Sequence, residues 1–469
     1  MRKYIEFRTT FCCCLVLLLA CLTTSLPSLG QNPGNNVVQG SGVTTSTAYI
    51  DASVIAGTSG AGDICALINA ALGLIGTAGG SGTRGYGTST VIDARGIPQP
   101  GSSQTLTCPS TYTPWSYGNT RTQSATILLP AGNITIGASW VLPTGTHLVG
   151  EGSGSVAGGT TITTIQTTSA LNPMIQMGAT ASSTAVSIED LDLNGEGDAS
   201  VGILNSDSME QSYVKRVGIY QIVGKGLSVT SGASYSGPYS EITFGNGSST
   251  VSASTACVSI NSVSTRGVHG LHCTNTGSIP SAGAAVLLNG PSNSLTDVTI
   301  QGFYDGVEIG SNASETNVKG NVLRNISATP WTTTPTVKHS VVRIMSTSGV
   351  AIGDDVVMGV NKGGTGTTSY SIEDDATAQG SAGATTLLTD TTVALYAIGE
   401  VATVTHAVHA YPRFSTSPNL PTWVRGAVTP GSSCVVGSLY SNTAGTGGTP
   451  PSANDLYVCT ATNTWTDID

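Results

Sequence analysis

Four segments in the middle of the chain share one arrangement of apolar and polar positions. IEDLDLN from Ile188, VKRVGIY from Val214, YSEITFG from Tyr239 and LTDVTIQ from Leu295 each place apolar residues at positions one, four and six. Their starts are 26, 25 and 56 residues apart, the last step being two turns of 28. A second series runs beside the first: GLSV from Gly226, CVSI from Cys257, AVLL from Ala285, GVEI from Gly306 and GVAI from Gly349. Two short strands per repeat at a period of about 20 to 30 residues are the signature of a solenoid, whose turns bury their apolar faces only against their neighbours. Stacked turns predict interior ladders, one of Leu191, Val217, Ile242 and Val298, another of Leu193, Ile219, Phe244 and Ile300. The pattern predicts an all-β parallel β-helix.

Upstream of the repeats, GDICALINAALGLI from Gly62 carries the helical period in Ile64, Leu67, Ile68, Ala71, Leu72 and Ile75, with Asp63 placed to cap it. Such a helix is expected to close the N-terminal end. Residues 89–96 and 125–152 then read as short strands separated by Pro and Gly turns. Within them lie Leu129-Pro130-Ala131-Gly132 and Leu148-Val149-Gly150-Glu151-Gly152.

This helix, the Leu-Pro-x-Gly turn and the strand ending in Leu-x-Gly-x-Gly resemble the opening of pectate-lyase-superfamily β-helix proteins related to rhamnogalacturonases. The resemblance covers roughly residues 51–360. It implies a right-handed single-stranded parallel β-helix acting on polysaccharide, a pectin-type glycan hydrolase or lyase. Polygalacturonase-like members carry Asn-Thr-Asp, Asp-Asp, Gly-His-Gly and Arg-x-Lys in that order. Here Val268-His269-Gly270 precedes Asp354-Asp355, and Lys215-Arg216 has the wrong spacing for the last element. No catalytic residue carries over from the family. The rival to an enzyme is therefore a non-catalytic surface adhesion or scaffold protein.

Composition supports the strand reading. Charged residues are 9% of the chain, far below the quarter or so of an ordinary domain, while Gly numbers 60. With 17 basic against 27 acidic residues, a net charge of -10 and no Lys/Arg cluster, nucleic acid is excluded as an expected partner. No cofactor or metal motif appears: Gly150-Glu151-Gly152-Ser153-Gly154 lacks the Lys and the strand-to-helix setting of a phosphate loop.

The termini set the address. Arg2, Lys3 and Arg8, an apolar run from Phe11 to Leu22 and Ser28-Leu29-Gly30 form an export signal over 1–30, so secretion is expected. The run is too short to span a membrane. Leu18-Leu19-Ala20-Cys21 resembles a lipobox and makes Cys21 a candidate for a lipid anchor at the cell surface. Residues 31–50 read as an extended lead-in, 51–360 as the capped β-helix, 361–421 as an irregular segment and 422–469 as a small β module. Its aromatics Trp423, Tyr440, Tyr457 and Trp465 are expected to form that module's core, the alternative being a shared exposed face that stacks on sugar rings. The six cysteines outside the signal fall into sequence-local pairs and predict bridges Cys65–Cys108, Cys257–Cys273 and Cys434–Cys459, one of fifteen connectivities. Four sequons begin at Asn133, Asn246, Asn312 and Asn325.

One constellation has the residue types for glycan chemistry. Asp190, Arg216, Glu241 and Asp297 hold the same place in their repeats, just before the apolar residue of position four, and His269 falls in the turn between the last two. Arg216, Glu241, His269 and Asp297 are the candidate catalytic residues. Glu241 and Asp297, two turns apart, would stand about 9.6 Å apart along the axis from the strand spacing, near the upper end of the roughly 6.5–9.5 Å that admits a water in an inverting glycosidase. The same stacking also makes a solvated ion-pair ladder.

Overall fold

The computed structural model describes residues 49–55, 62–76, 90–98, 105–108, 112–116, 124–154, 161–179, 182–246, 254–276, 283–303 and 305–310. Beyond these it describes the backbone of strand segments at 322–329, 339–344, 351–358, 369–374, 386–387, 392–394, 399–400, 423–426, 439–442, 456–462 and 464–467. The expected export signal with Cys21, the expected lead-in up to 48, Cys434 and most of 361–421 lie outside the described residues.

The fold is an all-β parallel solenoid. One sheet stacks Tyr49–Asp51, Val91–Asp93, Thr126–Leu128, His147–Val149, Ser187–Asn194, Tyr213–Tyr220, Tyr239–Asn246, Val268–Asn275, Ser294–Gln301, Val322–Thr329 and Ala351–Met358. A second sheet runs from Trp140–Leu142 through Lys225–Val229, Ala256–Asn261 and Ala284–Asn289 to Ser369–Asp374 and Gly399–Glu400. All pairs in both are parallel, because each chain segment returns one full turn later in the same direction.

Register follows the apolar pattern. Ile188 pairs in column with Val214, Tyr239, Val268 and Leu295, and Leu191 with Val217, Ile242, Leu271 and Val298. The predicted ladders form, and the double step is filled by Val268–Asn275, which supplies Leu271 and Cys273. Residues of these ladders are 2% exposed or less. In the second series the Gly349 segment is misplaced: Ile352 pairs with Leu323 in the first sheet. The rung after Gly306 is His339–Ile344, where Val342 pairs with Val307. Both segments end in two alternating apolar residues, which is all the series tested.

The spacing of three between positions one and four has a structural cause. A straight strand alternates inward and outward with period two, so Ile188 and Leu191 cannot both face the core without a change of phase. Asp190 supplies it with φ 54°, and Arg216, Glu241 and Asp297 repeat it at 51°, 55° and 57°, with Gly270 at 67°. One left-handed residue thus turns each of these five eight-residue strands through a corner. Earlier turns use separate strands instead: Thr163–Gln166 pairs with the second limb of Ser187–Asn194, His147–Val149 with the first.

Helix α1 (Ile64–Gly76) lies near the N-terminus, with Asp63 Oδ1 accepting from Ala66 N at 3.0 Å. Ile64, Cys65, Ile68, Ala71 and Leu72 join the same continuous core as the solenoid ladders. The Cys65–Cys108 disulfide ties the helix to the end of Thr105–Thr107. Cys257–Cys273 joins the two sheets through the interior, both residues wholly buried. Cys459 is disulfide-bonded. A small C-terminal sheet pairs Trp423–Gly426 in parallel with Leu439–Asn442, which continues antiparallel into Leu456–Ala461 and Thr464–Asp467. Tyr457 is buried there.

Candidate functional site

The corner residues form one outward column along the first sheet. From rung to rung it reads Asp190, Arg216, Glu241, Gly270, Asp297. At each corner the residue before it also points outward, giving a second column of Glu189, Lys215, Ser240, His269 and Thr296. Holding a non-glycine residue at positive φ costs about 1 kcal/mol or somewhat more, least for Asp or Asn. Arg and Glu have no such local advantage, so the walls on either side impose the conformation.

Three of the four predicted catalytic residues, Arg216, Glu241 and Asp297, therefore share a column. His269 does not. It sits one column earlier, opposite Ser240 and Thr296, and its Nδ1 lies 2.5 Å from Thr296 Oγ1. Gly270 takes the place between the two carboxylates. Glu241 and Asp297 are exposed, and the rung between them presents no side chain from its corner residue.

The first two rungs of the column are locked to each other. Arg216 Nε and NH2 donate to Asp190 Oδ1 and Oδ2 at 2.5 and 2.6 Å, a two-pronged ion pair across one strand spacing. Glu189 Oε2 lies 4.0 Å from the same guanidinium. The ion-pair ladder expected from the sequence thus accounts for Asp190 and Arg216, and removes Arg216 from the groups available to a substrate.

A further polar cluster spans the rungs just before. Ser187 Oγ donates to Glu189 Oε1 at 3.1 Å and lies 2.8 Å from His147 Nδ1, while Tyr213 OH donates to the same Glu189 oxygen at 2.8 Å. Burial pushes the Tyr213 hydroxyl up, and the bond to Glu189 adds to it. Burial holds His147 below the ordinary histidine range, with the Glu189 charge pulling the other way. Ser187 is wholly buried, so this chain is an anchor for Glu189 and presents no nucleophile to solvent. Sequence reading passed over it because His147 and Ser187 are 40 residues apart and meet only through the register.

Beside it, Asp192 is wholly buried and accepts from Gly154 N at 3.1 Å, pinning the Gly-rich turn over the sheet. At the N-terminal end, Arg95 Nε and NH2 donate to Asp93 at 2.9 and 2.8 Å, and NH1 reaches Glu151 at 3.4 Å. Burial raises the Asp93 carboxyl, but the bonds from Arg95 and Tyr49 outweigh it and leave the group below its ordinary value.

Among the described residues no three His, Cys, Asp or Glu side chains come together as a metal-holding group, and no helix is long and apolar enough to cross a membrane. No family model, curated protein or solved structure matches the chain. What it does must be argued from the outer face itself.

Proposed function

We propose that the chain is an exported glycan-binding β-helix of the pectate-lyase-like kind, with Glu241 and Asp297 flanking the position where a glycosidic bond is hydrolysed. The observation that supports this is the Glu241–Gly270–Asp297 column. Two exposed carboxylates hold equivalent corners two rungs, or about 9.6 Å, apart, and the glycine between them leaves a notch. Side chains reaching toward the notch bring the carboxyls into the roughly 6.5–9.5 Å range in which one protonates the leaving oxygen and the other activates a water. His269 and Thr296 border the notch and supply hydrogen bonds to sugar hydroxyls.

A second reading has its own support. Asp190 and Arg216 show that this column also serves as an ion-pair ladder, which fits an adhesion or scaffold protein whose outer face binds glycan without cleaving it.

The deciding experiment incubates purified mature protein with a panel of plant and bacterial polysaccharides and follows both reducing ends and ultraviolet-absorbing unsaturated products. Reducing ends that fall at least a hundredfold in Glu241→Gln and in Asp297→Asn support hydrolysis at the notch. Binding without products moves the assignment to the scaffold reading. Absence of both binding and cleavage across the panel removes the glycan reading.

A further inference from the structure

We infer that Asp190 is a specificity residue that closes this face to acidic sugars, so that the glycan taken there is a neutral one; this rests on the glycan-binding reading above. A uronic acid is recognised best by an arginine fork, two parallel N–H groups on the two oxygens of one carboxylate. Arg216 has such a fork on the outer face, and Asp190 fills it from the adjacent rung through both oxygens. The protein's own carboxylate thus stands where the ligand's would.

The same device occurs a second time. Arg95, on a strand-end turn of the first sheet, spends Nε and NH2 on the two oxygens of Asp93 and turns NH1 to Glu151. Two guanidiniums with the geometry for acidic sugars are both occupied internally. Around the Arg216 fork, Glu189 lies 4.0 Å from the guanidinium and Glu241 holds the next corner, against Lys215 in the neighbouring column. A polyuronate approaching that surface meets net repulsion, reinforced by a chain charge of -10 and screened only beyond about 8 Å in physiological salt. A neutral sugar meets no such penalty, because carboxylates accept hydrogen bonds and sugar hydroxyls donate them. The selectivity is therefore opposite in sign to that of a pectin-binding surface.

The test compares affinity for polygalacturonate and for a neutral galactan, measured by calorimetry at low salt with EDTA present. The wild-type protein should bind the neutral glycan at least about tenfold more tightly, the scale of one charge-assisted hydrogen-bond pair. Asp190→Gly suits the left-handed corner, and Asp190→Asn is a second variant that tolerates the same φ. Either should raise the ratio of polygalacturonate to galactan affinity about tenfold, and adding Arg216→Gln should cancel the gain. Wild-type protein that prefers polygalacturonate overturns the inference while leaving the glycan reading intact. So does an unchanged ratio in Asp190 variants of normal melting temperature. Failure to bind either polymer, or any glycan of the wider panel, overturns the reading beneath and the inference with it.

Discussion

Cys257 and Cys273 stand sixteen residues apart in the chain and 6.2 Å apart at their Cα atoms, joining the two sheets of the solenoid through its wholly buried interior. Closing a loop of that length removes unfolded-state entropy worth about 3 kcal/mol, and the 43-residue Cys65–Cys108 loop about 4 kcal/mol. Replacing Cys257 and Cys273 together by Ala should lower the melting temperature markedly without changing the parallel-sheet circular dichroism spectrum at low temperature. An unchanged melt would show that the interior is held by the ladders alone.

His147 should make stability depend on pH. Burial holds its folded-state affinity for a proton below that of the unfolded chain, whose value is 6.5. The folded state therefore binds fewer protons in this window, and the contribution is complete above pH 6.5 and lost as pH falls from there through the folded value. In His147→Gln the fall in melting temperature between pH 7 and pH 5 should be shallower than in the wild type. Parallel curves for the two proteins would refute the assignment.

Gly270 separates packing from function. A Cβ built there meets nothing nearer than Glu241 N at 3.6 Å, and the φ of 67° suits asparagine. Gly270→Asn should fold with a stability change of about 1 kcal/mol or less, yet it puts a side chain into the notch between Glu241 and Asp297. Glycan cleavage should fall more than tenfold at an unchanged melting temperature. Full activity in this variant would separate the notch from the chemistry.

Gly218 gives the converse case. A Cβ there would lie 2.2 Å from Asp192 Oδ1 and 2.6 Å from Tyr220 Cε2, both in buried side chains. Gly218→Ala should cost about 1–3 kcal/mol by overpacking, read as a lower denaturation midpoint in urea at constant slope.

The sequence showed the turns because their interior positions are apolar at a fixed phase, and burial leaves little freedom there. Leu191 and Leu193 with their counterparts were legible as ladders from the repeat alone, and Ile188 as its first apolar position. The three-residue gap between Ile188 and Leu191 already encoded the corner, since only a phase change lets both face inward. The residue that makes the corner was not legible, because Asp, Arg and Glu carry no common signal for positive φ. The sequence put His269 in the turn between Glu241 and Asp297 but did not show that Gly270, one residue on, takes that turn's corner. The His147–Ser187–Glu189–Tyr213 chain was illegible for another reason. It depends on which rungs are neighbours across a 40-residue excursion, and His147 lies on a three-residue strand too short to show a period. Of the sequons, Asn246 is buried and donates to Ile222 O at 2.8 Å, a partnership that Asn-x-Ser spacing does not reveal.

A corner made by a single left-handed residue leaves the adjoining walls to be held by the apolar residues on either side of it. The side chain at the corner is then a nearly independent variable, like type set in a fixed frame. Five successive rungs here spell Asp, Arg, Glu, Gly, Asp, and a different text could be set at one letter per rung, about 4.8 Å apart, without redrawing the solenoid that displays it.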